Sequence, residues 1–213
     1  MRCRLLPIML LATSFAGAAV IDQIAIVIGK SIIKDSDIDR DLRVTEFMNG
    51  DPLDVGNAAR KKAASRLIDQ VFIRREIEVG DYPNATLQQT DEQLDRLQRR
   101  KFKTQAALEQ ALRRYGIPEV DLRTQLQWQL TILSFIDIRF KPAVLVTDEE
   151  IEKYYNDHAA ALRRQHPGKS TLDELREEIR NIIAGEKENQ EFFKWLDDER
   201  KDATIRYLEA SLQ

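Results

Sequence analysis

Cysteine is almost missing from this 213-residue chain: its single thiol is Cys3. Beyond the first eighteen residues the protein can form no disulfide, offers no thiolate nucleophile and has no cysteine to give a metal. Histidine is scarce as well. His158 and His166 stand eight apart on a charged segment, which is not the spacing of a zinc site, so the expectation is neither metal nor cofactor. Only 8 glycines and 6 prolines occur, a composition that favours long helices. No apolar run approaches the roughly 20 residues of a membrane-spanning helix. Neither charge sign dominates, with 33 Lys and Arg against 36 Asp and Glu, so the clustered cation surplus that grips nucleic acid is not expected. The basic run from Arg96 to Lys103 reads as a solvated helix end, where the helix dipole favours cations.

Chemical signatures are equally thin. Gly168-Lys169-Ser170-Thr171 echoes the end of a phosphate-binding loop, but the glycine required five residues earlier is Arg163. No Gly-x-Ser-x-Gly elbow occurs. Acidic pairs such as Glu149/Glu150 and Asp197/Asp198 read as solvated helix faces, and nothing singles out one of them for acid–base work. The expectation is a protein that is not an enzyme.

What is present starts with an export signal. Arg2 and Arg4 precede a short apolar run, Leu5 to Leu11, and Ala16-Gly17-Ala18 offers a small-residue cleavage site. That is the layout of a secretory leader. Residues 1–18 are therefore read as a signal peptide and 19–213 as the working protein, which keeps 31 basic and 36 acidic residues, a net charge of −5.

Ile21 to Ile28 is rich in β-branched residues, Gly29-Lys30 is a turn signal, and Ser31 to Lys34 resumes the strand pattern, so the reading begins with a β-hairpin. Helices follow at about 35–48, 57–79, 90–102, 104–115, 118–141, from Thr147 to the break at His166-Pro167, and 171–201. Each opens on a Ser, Thr, Asp or Pro signal or closes on Gly or Pro. Residues 203–208 alternate in strand fashion and are expected to pair with the hairpin. The fold class is mainly α, closed by a small antiparallel sheet. It is read as one core, with 19–146 as its N-terminal part and 147–213 as its C-terminal helices and closing strand.

Two helices carry more apolar residues than one face needs. On the helix from Pro118, Leu122, Leu126, Leu130, Leu133, Ile136 and Phe140 share an arc of about 120°, while Trp128, Ile132 and Phe135 fall on a second arc. On the last helix Leu172, Leu175, Ile179, Ile182, Ile183 and Phe193 form a stripe, with Phe192 and Trp195 off it. Contiguous exposed apolar surface marks binding sites. Trp128, Ile132, Phe135, Phe192 and Trp195 are therefore the candidate contacts for another polypeptide.

Several motifs also resemble a known family. Val20-Ile21-Asp22 through Ile24-Ala25-Ile26-Val27-Ile28, followed by Ser36-Asp37-Ile38, resembles the mature start of SurA-type periplasmic chaperones. Arg66-Leu67-Ile68-Asp69, Thr90-Asp91-Glu92, Leu122-Arg123-Thr124-Gln125 and Val146-Thr147-Asp148-Glu149-Glu150 through Tyr154-Tyr155 are similar to successive family motifs. Phe192 to Arg200 with Ala203, Ile205 and Tyr207 resembles its closing helix and strand. The resemblance implies a multihelical SurA/trigger-factor-like core that works in the periplasm. It would bind unfolded or nascent outer-membrane and secreted polypeptides without ATP, with no nucleic acid and no lasting membrane insertion. Relatives carry a parvulin-type prolyl isomerase domain of roughly one hundred residues before the last helix, an ordinary domain size. Here only His158 to Ser170 occupy that place, which implies that isomerase activity is missing. The competing reading is a helical adaptor or homodimerisation module with one folded partner.

Overall fold

A computed structural model describes residues 22–165, 168 and 171–212. The leader, Ile21, His166, and Lys169 and Ser170 of the stretch that echoes a phosphate-binding loop lie outside the described residues. Strands β1 (Ile24–Ile28) and β2 (Ser31–Lys34) form the expected hairpin, with Gly29 at φ +56° in the turn, a region glycine enters without a Cβ penalty. Strand β3 (Ile205–Tyr207) pairs antiparallel with the other edge of β1, giving the order β2-β1-β3. The register slips between Ile24 and Ile26. At that irregularity the Ala25 carbonyl accepts the N–H groups of Leu208 at 2.8 Å and Glu209 at 3.4 Å. The bulge thus fastens the end of the chain to its beginning.

Seven α-helices fill the rest of the described residues: α1 (Asp35–Asn49), α2 (Asn57–Val79), α3 (Leu87–Leu97), α4 (Gln105–Tyr115), α5 (Glu119–Arg139), α6 (Asp148–Gln165) and α7 (Leu172–Asp202). Their ends follow local chemistry. The Asp37 carboxylate reaches back to the Lys34 N–H at 3.0 Å to start α1. Reciprocal Thr–Glu boxes start α6, through Thr147 and Glu150, and α7, through Thr171 and Glu174.

Helix α3 departs from expectation. The expected start at Thr90 loses to an equivalent Thr-x-x-Gln box upstream, in which Thr86 Oγ1 accepts the Gln89 N–H at 3.2 Å and Gln89 Oε1 accepts the Thr86 N–H at 2.8 Å. Thr90 is buried inside the helix and donates to the Thr86 carbonyl. Beyond Leu97 the helix loosens into a π-helical turn, Gln98–Phe102.

Gly116 closes α4 at φ +66°, and a Cβ there would come 3.1 Å from Arg43 Nη1. That guanidinium donates to the Tyr115 carbonyl at 3.0 Å. Gly116→Ala is therefore expected to destabilise the fold by about 1–2 kcal/mol, the cost of a left-handed residue bearing a Cβ, and urea denaturation reads this directly.

Burial is organised in three clusters. One joins the sheet, Ile38 and Leu42 of α1, α2, and the later parts of α5 and α7. A second joins α1, α3, α4 and the N-terminal half of α5. The third lies between α6 and the first half of α7, around Ile151, Leu162, Leu175 and Ile179. The Arg66-Leu67-Ile68-Asp69 segment ties these layers together: Ile68 enters the main core, Arg66 pairs with Asp41 of α1, and Asp69 pairs with Arg200 of α7. The Arg200 guanidinium also donates to the carbonyl and hydroxyl of Ser65 at 2.9 and 2.8 Å.

Candidate functional site

Helix α5 changes its buried face along its length, and this shapes the site. Leu122 and Leu126 point into the second cluster, whereas Trp128 and Phe135 are buried toward α2 and α7, with Thr131 buried between them along the helix. At 3.6 residues per turn, Trp128 lies roughly 160° round the helix from Leu126. Thr131 fixes that orientation: its hydroxyl accepts the Ala85 N–H at 2.9 Å, and Gln127 Nε2 donates to the Ala85 carbonyl at 2.8 Å.

Two clefts open where α5 faces α1, α2 and α7. They adjoin, because Asp41, Gln70, Gln125 and Trp128 border both. The first, of about 300 Å³, has apolar walls from β2, α1 and α2, including Ile32, Val44, Leu67 and Val71. The second, of about 240 Å³, is walled by Ile73, Ile132, Phe192, Phe193 and Leu196, with Arg66, Asp69 and Gln129 on its rim. A third, of about 450 Å³, lies by Arg74, Tyr82 and again Trp128.

The five sequence candidates divide. Trp128, Ile132 and Phe192 border the second cleft, but Trp128 and Phe192 present only 5% and 6% of their surface. They are cleft walls, not free contacts. Phe135 is a correction: it is fully buried, packed edge-on against Tyr82 at 5.0 Å and Phe140 at 5.8 Å. Trp195 is half-buried among Phe135, Phe140 and Phe192 and borders none of the three clefts.

Two residues assigned to core stripes are exposed instead, Leu133 at 65% and Phe193 at 62%. The reason for Phe193 lies in α7. Its first half turns Ile179 toward α6, while its second half turns Phe192, roughly 140° away, toward the body. Phe193 stays on the α6-facing side in a stretch where α6 no longer covers it. Adjacent phenylalanines on one helix are the signal, since both cannot share one buried face.

Asp41 is the charged group with the least access to water here. Its carboxylate accepts Nε and Nη2 of Arg66 at 2.9 and 2.6 Å and the Gln70 amide at 3.4 Å. Burial raises its pKa above the ordinary 3.8, only partly offset by Arg66. An acid with a raised folded pKa binds its proton more tightly in the native state. Its contribution is therefore most favourable below pH 3.8 and is lost as pH rises toward the folded value. Comparing urea midpoints across the acid range, the native chain should lose stability relative to Asp41→Asn as pH rises through that interval. An unchanging difference would contradict this.

Among the described residues no group of three or more His, Cys, Asp or Glu could hold a metal, and no helix is long and apolar enough to cross a membrane. His158 stacks on Tyr154 at 4.2 Å, with its Nδ1 3.0 Å from the Tyr154 carbonyl. No protein-family model matches the chain, and no curated protein matches it.

Proposed function

We propose that this chain is an ATP-independent chaperone of the SurA type, exported to the periplasm, which holds unfolded outer-membrane or secreted polypeptides in the clefts along α5. The observation that carries the reading is the second cleft. It joins an exposed aromatic ring, Phe193, to the apolar walls Ile132, Phe192 and Leu196. Side-chain amides of Gln70, Gln125 and Gln129 border the same wall. An unfolded segment presents both apolar side chains and unpaired peptide groups, and a cleft of this make-up matches both. Holding is then mass action: binding the unfolded state lowers the concentration free to aggregate, and folding pulls the client away. No nucleotide, metal or other cofactor enters the scheme, and prolyl isomerisation is no part of it.

The test is light scattering from a denatured β-barrel protein diluted into buffer without ATP. Suppression that grows with the amount of this chain is expected, and unchanged aggregation at excess chain would remove the proposal. The rival reading, an adaptor or homodimer module, makes the same cleft a permanent interface. A stable dimer in multi-angle light scattering that leaves client aggregation unaffected would favour it.

A further inference from the structure

We propose that the first cleft reads the C-terminal end of a captured polypeptide, with Arg74 taking the terminal carboxylate and Leu67 and Val71 receiving an apolar last side chain. This rests on the chaperone reading and names the part of the client that seats beside α2.

The argument begins with charge pairing inside the cleft. Asp37 and Asp121 are both engaged by Arg40, at 3.1 and 3.5 Å, and Asp41 by Arg66. Arg74 borders the same space and is exposed, yet no carboxylate among the described residues pairs with it. Glu78 and Asp81 border the cleft on the other side of Trp128 without forming an ion pair with it. The Arg74 guanidinium carbon instead lies 3.9 Å from the centroid of the Trp128 ring. A guanidinium over an aromatic face keeps its N–H donors at its edges, in the fork that suits the two oxygens of a carboxylate.

The neighbouring surface decides which carboxylate fits. Leu67, Val71 and Arg74 recur at helical spacing on α2 and border this cleft together, so the cation ends an apolar strip. Asp and Glu carry their carboxylates on polar side chains. In a natural polypeptide, only the C-terminal residue can hold a carboxylate and an apolar side chain on one Cα. Capture of a terminal carboxylate by fixed donors is an established recognition mode. The Gln125 side chain has no hydrogen-bond partner among the described residues and borders the cleft, so its amide is free for the preceding peptide group.

The experiment is calorimetric titration of the full mature chain with a short peptide ending in Leu-Phe, prepared as the free acid and as the C-terminal amide. The acid should bind about ten-fold tighter or more. Arg74→Gln should abolish the difference between acid and amide, and Arg74→Lys should keep part of it; circular dichroism verifies that both variants fold. Equal affinity of the native chain for acid and amide overturns the inference and leaves the chaperone reading standing. The inference also falls, alone, if neither peptide binds while denatured client is still held, or if Arg74→Gln still discriminates. Failure to hold client as well removes both. Displacement of the peptide by dodecanoate at concentrations below the peptide's own Kd reassigns the cleft to a lipid and also overturns it.

Discussion

Phe135→Ala is expected to destabilise the protein by about 3–5 kcal/mol, the usual cost of emptying a fully buried aromatic site. Phe135 contacts aromatic rings from three directions: Tyr82 after α2, Phe140 at the end of α5, and Trp195 of α7. Arg139, whose guanidinium carbon lies 5.3 Å from the Trp195 ring, covers that cluster and pairs with Glu76 of α2. The cavity would be rimmed by rings that cannot all move inward together, which places the loss toward the upper part of the range. Urea unfolding of the native chain and the variant measures it. A change under about 1 kcal/mol, the typical loss for an arbitrary substitution, would mean that this junction is not packed as described.

Phe193→Ser is expected to do the reverse. Phe193 is 62% exposed, so stability should stay within about 0.5 kcal/mol of the native chain. The loss should appear in client binding. Burying a phenylalanine side chain against a partner is worth about 1.5–3 kcal/mol, and each 1.4 kcal/mol is ten-fold in affinity. The chain concentration needed to suppress aggregation should therefore rise by about ten-fold or more, and further with Ile132→Ser on the opposite wall of the cleft. A Phe193→Ser variant that protects client as well as the native chain would place the binding surface elsewhere. Together, the neighbouring positions 192 and 193 separate core from surface.

Local signals are sufficient for most of the fold. Gly50 and Gly116 close α1 and α4 in the left-handed region. Thr104, Thr147 and Thr171 cap the helices expected of them, and the alternation at residues 205–207 gives the strand that closes the sheet. These features depend on a few adjacent residues, so a sequence displays them. The site depends instead on which neighbour each helix half meets. A single stripe drawn along α5 places Leu133 inside and Phe135 outside, and the same construction on α7 exchanges Phe192 with Phe193. In both cases the helix leaves one cluster and enters another on its opposite side, a change that no fixed 100° projection follows. Asp41, Gln70 and Arg74 carry no sequence signal at all. Their roles come from α1 and α2 meeting α5 at Trp128, a tertiary event.

The most direct test of the central claim is site-specific photocrosslinking to a denatured β-barrel client. A photoreactive side chain at position 193, on the wall of the second cleft, is compared with one at Val79, equally apolar, 78% exposed and outside the three clefts. Adducts concentrated at 193 and lost when the client is folded are the predicted result. Equal labelling at both positions, or labelling at 79 alone, would contradict the assignment of client capture to the clefts along α5.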